Sequence, residues 1–197
     1  MIQTNNIDSQ SGNVAAALNL TGVDLKKAKG YGILISTTVA TPAAKTFVDA
    51  DVTVAADTIT IAAHGYATGL RVAATTGGVL PAGLSATNYW VIKVDADTIK
   101  LASSAANALA GTVVDITAAA GGGTHTLTPA SITGASYKLQ CSVDDSTYYD
   151  LGVTNNVTVT ADFVHEKVDP MFNFVRVVWA ITTGQIAYSI KTLVKGE

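Results

Sequence analysis

The chain has 197 residues, 48% of them apolar and 14% charged, with a net charge of −3. That length and apolar content suffice for one large core or two small ones. The twelve basic residues are spread along the whole chain, which leaves no footprint for counterion-releasing contact with nucleic acid. Mean hydropathy is +0.34, yet no apolar run approaches the ~18 residues of a spanning helix; Thr, Ala, Gly and Val standing in for Glu, Lys and Leu favour strands and turns over long helices.

The first ten residues, MIQTNNIDSQ, lack the basic-then-apolar order of a secretion signal, so folding in a cytoplasm is expected. GNVAAALNLTGVDLKKAKG fits either a helical turn or a strand, limited by Gly22 and Gly30, and YGILISTT reads as a short apolar strand. The next segment of that flanking kind, SYKLQCSV, comes roughly a hundred residues later, where a sandwich connection is ordinarily short. Residues 46–129 therefore read as an insertion, bounded by the Thr-, Pro- and Ala-rich edges TPAAKT and TPASITGA. Inside it VDAD recurs at 48–51 and 94–97 and ADTI at 56–59 and 96–99. Two copies at different offsets do not make a repeat, and Asp capping a turn before a β-branched strand accounts for the echo.

Beyond the insert, alternation with period two is the strongest local signal, since successive strand side chains point to opposite faces. In SYKLQCSV the apolar set is Tyr137, Leu139, Cys141 and Val143, which makes Cys141, the single cysteine, a buried structural thiol incapable of an internal disulfide. VTVTADFV sets Val157, Val159, Ala161 and Phe163 against Thr158, Thr160 and Asp162. FNFVRVVWAI is apolar on both faces apart from Asn173 and Arg176, as in a central strand or one pressed against a partner. Thr183 and Gly184 then supply a turn, so that Phe172 to Val194 reads as a β-hairpin, its second strand directing Ile186, Tyr188 and Ile190 to one face.

The insert's motifs TITIAAHGYATGLRV, GVLPAGLSATNYWVIKVDADTIKLASSAANALAGT and VDIT followed by GGGTHTL resemble a β-module found within tail-fibre, head-fibre and other virion proteins of tailed bacteriophages. The flanking YKLQCSVDDSTYYDLG and FNFVRVVWAITTGQIAYSI are similar to β-sandwich phage proteins that decorate heads or build tails. The resemblance implies a non-enzymatic virion protein assembled in the host cytoplasm, with the major capsid protein or other virion proteins as partners, oligomeric, and without nucleic acid or membrane. A host surface glycan is the partner implied by the fibre alternative. The expected architecture is all-β: an antiparallel, jelly-roll-like β-sandwich from 1–45 and 130–197 that binds the virion, carrying a small outward-projecting β-barrel or sandwich at 46–129.

The residues offer no catalytic constellation, cofactor fingerprint or metal set. His64, His125 and His165 have no second ligand at zinc spacing and read as turn or edge groups. The pairs Asp49 with Asp51 and Asp95 with Asp97 lack the graded oxygen series of a calcium loop and read as turn caps. Gly121, Gly122 and Gly123 have no following Lys-Ser/Thr and read as a hairpin tip, and the sequons at Asn19 and Asn156 carry no weight in a cytoplasmic product. Asp144, Asp145 and Asp150 frame a turn. Tyr148 and Tyr149 must point opposite ways, so one of them faces outward as a candidate contact for a sugar or a protein. Trp90 and Trp179, each in an apolar run, are expected in the core. Arg176, alone among apolar neighbours, calls for an Asp or Glu partner from a neighbouring strand or a second subunit. Arg176, Tyr148 and Tyr149 are thus the candidate interface residues.

Overall fold

The structure, a computed structural model, describes residues 4–25, 30–39, 41–119, 122–157, 160–168 and 171–195. The fold is all-β and antiparallel. It divides into two compact units, one of residues 1–39, 134–181 and 186–197, the other of 40–133 together with 182–185. Of the sequence-predicted positions, Gly121, Thr158 and Val159 lie outside the described residues.

The first unit opens on β1 (Thr4–Val14), two short strands β2 (Leu18–Asn19) and β3 (Val23–Asp24), and β4 (Gly30–Val39). The second unit contributes β5 (Lys45–Phe47), β6 (Val52–Thr53), β7 (Thr58–Thr60), β8 (Arg71–Thr76), β9 (Asn88–Lys93), β10 (Thr98–Ala102), the helix α1 (Ala105–Ala110) and β11 (His125–Pro129). The chain then returns to the first unit through β12 (Gly134–Ser142), β13 (Tyr149–Asn156), β14 (Ala161–Val168), β15 (Phe174–Thr183) and β16 (Ile186–Lys195).

In the first unit one sheet runs β1-β16-β4-β14 and the other β13-β12-β15-β2, with β3 also on β15. Their inner faces alternate as half-buried strands do: Tyr31, Ile33, Ile35 and Thr37 on β4 are buried, as are Val175, Val177 and Trp179 on β15. Aromatic rings join the two sheets, Tyr137 of β12 against Phe163 of β14 at 5.2 Å and Trp179 of β15 against Tyr188 of β16 at 5.4 Å. Each such pair adds about 0.5–1.5 kcal/mol beyond its area. Trp179 is fully buried, and its Nε1–H has no partner among the described residues.

Three stretches of the first unit fold otherwise than their local pattern predicts. The stretch from Phe172 to Val194 is not a hairpin, because β16 pairs with β1 and β4 while β15 lies in the opposite sheet. The turn at Gly184 (φ 86°) is an arch from one sheet to the other; β16 makes ten-residue registers on both sides, pairing that β15 could not also supply. VTVTADFV is not one strand, for β13 ends at Asn156 and β14 starts at Ala161. In β12 the alternation breaks before the turn: Ser142 is buried, Cys141 only half-buried, and Val143 is 61% exposed. Ser142 turns inward because its Oγ accepts from the N–H groups of Asp144 and Asp145 and donates to Asp144.

β1 carried no alternating apolar signal, since Ile7 is the one large apolar residue in its TNNIDSQSGN. It becomes a strand by tertiary pairing with β16, from Thr4↔Lys195 to Val14↔Ile186, interrupted by a bulge between Asn6 and Asp8.

In the second unit the strands form one sheet in the order β5-β11-β8-β9-β10-β7-β6. This strand order and the short β5–β6 connection together demand that it curl. Flat, the outer strands of seven would stand ~29 Å apart at ~4.8 Å per step, yet only residues 48–51 separate β5 from β6, a reach of at most ~18 Å. The sheet accordingly curls into a half-barrel around Ile59, Tyr66, Leu70, Val72, Val91, Ile99, Leu101, Ile116 and Leu127. The two ADTI copies feed neighbouring antiparallel strands, Ile59 pairing with Ile99. Trp90 departs from expectation: on β9 it shares the outer face and is half-exposed, while its neighbours Tyr89 and Val91 are buried. The short α1, absent from the sequence reading, forms because Ser104 Oγ accepts from Asn107 N at 3.1 Å and Gly111 (φ 73°) closes the C-terminus.

Candidate functional site

The outer face of the β13-β12-β15 sheet brings two of the three candidate residues, Arg176 and Tyr148, together and leaves Tyr149 out of the cluster. Arg176, projecting from β15, directs Nε and Nη2 to Gln140 Oε1 of β12 at 3.0 and 2.8 Å. Its guanidinium carbon lies 3.7 Å from the centroid of the Tyr148 ring. Gln140 Nε2 donates to Asp150 Oδ1 at 2.8 Å, and Lys138 Nζ binds Asp150 Oδ2 at 2.8 Å. Tyr148 donates its hydroxyl to Asp145 Oδ1. A ladder of polar contacts thus crosses three strands and ends in the β12–β13 loop. The partner expected for Arg176 was a carboxylate; the structure supplies an amide oxygen and an aromatic face instead. Asp150 lies one contact further on, with Gln140 relaying between it and the guanidinium.

Gly22, between β2 and β3, is fixed by this cluster, since a Cβ there would run into the Tyr148 hydroxyl and the Asp145 carboxylate. Beside it lies an open groove of about 520 Å³ lined by Asp8, Gln10, Thr21, Gly22, Val23 and Asp24.

Burial first, and then the Asp145 hydrogen bond, push the Tyr148 phenol up to about 12, so it stays protonated at neutral pH. Asp144, which accepts from the Thr147 and Ser146 N–H groups, is held well below the usual carboxylate range. Asp150 is lowered by the Lys138 and Gln140 hydrogen bonds. Near neutrality Asp144 and Asp150 are thus charged and Tyr148 is neutral. Tyr149 points the other way from Tyr148 and is 66% exposed. Tyr148 is the half-buried member of the pair.

Arg176→Met is expected to cost roughly 1–2 kcal/mol, from charged hydrogen bonds and a cation–π contact discounted for partial exposure. Urea unfolding of the variant measures it; a change within about 0.3 kcal/mol would put the guanidinium effectively in solvent.

The histidines hold the fold from within. His64 is buried, Nδ1 accepting from Tyr66 N at 2.9 Å, which makes Nε2 the donor to Asp95 O at 3.0 Å. His165 Nε2 lies 2.7 Å from the Tyr137 hydroxyl. Burial is the leading cause that lowers both. A histidine whose folded value lies below its unfolded ~6.5 contributes stability that is complete above pH ~6.5 and lost as pH falls through the folded value. The unfolding midpoint should therefore drop between pH 7.5 and 5.5, and His64→Gln with His165→Gln should flatten that dependence. An unchanged midpoint over the window in the parent chain would contradict it.

The sequence also missed a long-range triplet. Fully buried His125 on β11 places Nε2 3.0 Å from Asp49 Oδ1 and Nδ1 2.8 Å from Thr76 Oγ1. Asp49 Oδ2 accepts from Gly122 N, and Thr76 Oγ1 from Gly78 N. Seventy-six residues separate Asp49 from His125, so no local spacing could reveal it. It ties two glycine loops together, Gly78 lying against Gly122 and Gly123. Of the other paired acids, Asp51 and Asp95 do act in turns, Asp51 Oδ2 accepting from Val48 N and Asp95 Oδ1 from Asp97 N, whereas Asp97 Oδ1 accepts from Ala63 N, 34 residues away, and so ties two distant loops. Among the described residues no three His, Cys, Asp or Glu converge as a metal site.

Neither a protein-family model nor a curated protein matches the chain.

Proposed function

We propose that the protein is a non-enzymatic structural component of a tailed-bacteriophage virion, a decoration protein that binds the head shell through its sandwich and stabilises it. Residues 46–129, with the likeness set out above, carry the reading. A self-contained half-barrel whose first and last strands pair with each other, Lys45↔Leu127 to Phe47↔His125, suits a module inserted into a host loop. The outer sandwich face adds support, because it offers a pre-ordered lattice of amide, carboxylate, guanidinium and aromatic groups for a protein partner.

A tail or fibre component that recognises a host glycan is the second reading, favoured by the exposed Tyr149 next to Asp150; a tail or neck building block would use the same fold. Purified protein added to heads stripped of accessory proteins should bind saturably and raise their resistance to heat or dilution, a gain expected from many copies of a small interface. Saturable binding to a glycan array, lost in Tyr148→Ala or Tyr149→Ala, with no effect on head stability, would overturn decoration in favour of the fibre reading.

A further inference from the structure

Two exposed patches, one in each unit, have opposite character. The first lies at the β12–β13 loop. Val143, Tyr149 and Met171 are 61%, 66% and 94% exposed, and Asn173 holds the Met171 segment against the loop through bonds to Ser142 O (3.0 Å) and Val143 O (2.8 Å). Residues 143–150 carry Asp144, Asp145 and Asp150 and no cation. Lys138, bound to Asp150, and Arg176, half-buried under the Tyr148 ring, approach from the neighbouring strands.

The second patch is the outer face of the half-barrel. Strands β7 to β11 contain Arg71, Lys93 and Lys100 and no carboxylate. Arg71 stands opposite Trp90 and Lys100 opposite Ile92, all four half-exposed, so two cations flank an aromatic and an aliphatic side chain on one pleated surface. Asp95 and Asp97 of the β9–β10 turn are engaged with backbone amides.

We propose that the occupant of each patch is a second copy of this chain: the acidic, apolar end of one sandwich docks on the basic, Trp90-bearing face of another copy's half-barrel. Pairing like with like would oppose equal charges, so each contact joins an acidic patch to a basic one, reciprocally in a two-fold dimer or head to tail in a ring or open chain. Large exposed apolar side chains rimmed by charge are what such a contact would cover. The inference is independent of the virion reading.

Sedimentation velocity over a concentration series tests it. The parent chain should associate at low ionic strength and dissociate at about 1 M salt, where the screening length falls to about 3 Å. Arg71→Glu with Lys100→Glu should weaken association at least about tenfold, as should Val143→Lys with Met171→Lys, two positions whose exposure spares the core. Mixing the two variants should restore association between them. A chain monomeric throughout, or association that either variant leaves unchanged, would overturn the proposal. So would a basic face that binds a polyanion such as heparin while the protein stays monomeric.

Discussion

Replacing Trp179 with alanine is expected to lower the stability of the sandwich by about 3–5 kcal/mol, a large part of what a small domain has. Its indole is fully buried between Tyr137 at 5.5 Å and Tyr188 at 5.4 Å, so the truncation removes contacts to both sheets and leaves a cavity. Trp179→Phe should cost much less, about 1 kcal/mol, because it also removes a buried N–H lacking a partner among the described residues; such a donor costs about 1–3 kcal/mol. Urea midpoints of the three proteins measure the difference. If phenylalanine proves as harmful as alanine, the indole N–H is making a bond that matters.

Excision of residues 40–133 in favour of a short Gly/Ser linker should leave a sandwich that still unfolds cooperatively. The strands at the two ends of the excised segment, β5 and β11, are hydrogen-bonded neighbours, so the ends converge, and loop closure depends only logarithmically on length. The turn at Thr182–Gln185 would feel the loss, since Gln185 Oε1 accepts from Ala67 N at 2.7 Å and its Nε2 donates to Gly65 O at 2.9 Å. A lower midpoint with intact cooperativity is therefore expected in urea unfolding followed by Trp179 fluorescence. An aggregated product without a cooperative transition would mean that the two regions share a single core.

Local pattern alone made these strands legible: apolar side chains at every second position around Tyr137 and Ile190, as a half-buried strand needs whatever its partner, and short apolar runs at Tyr31 and Val175. The Asp-rich turn between β12 and β13, and the opposite directions of Tyr148 and Tyr149, were readable for the same reason. Pairing is not local. β1 is a strand because β16 offers ten residues of backbone partners to a largely polar segment, and hydrogen bonds of that kind carry no side-chain signature. The β15–β16 turn looks like a hairpin from its residues, yet it crosses between sheets because β4 and β1 occupy both edges of β16.

The candidate site divides likewise. The sequence identified Arg176 as a charge needing a partner, from the cost of leaving a guanidinium unsatisfied among apolar groups. Which partner it took was a tertiary outcome: Gln140, 36 residues away, and the Tyr148 ring were brought to it by strand register and by the loop closing over Gly22. His125 and Asp49 met for the same reason, across the curl of a sheet whose two edges are joined by four residues. Period, turn chemistry and the demand for a partner are properties of short stretches, so the sequence determined them; the identity of each partner depends on which distant strands share an edge, and only the tertiary structure decided that.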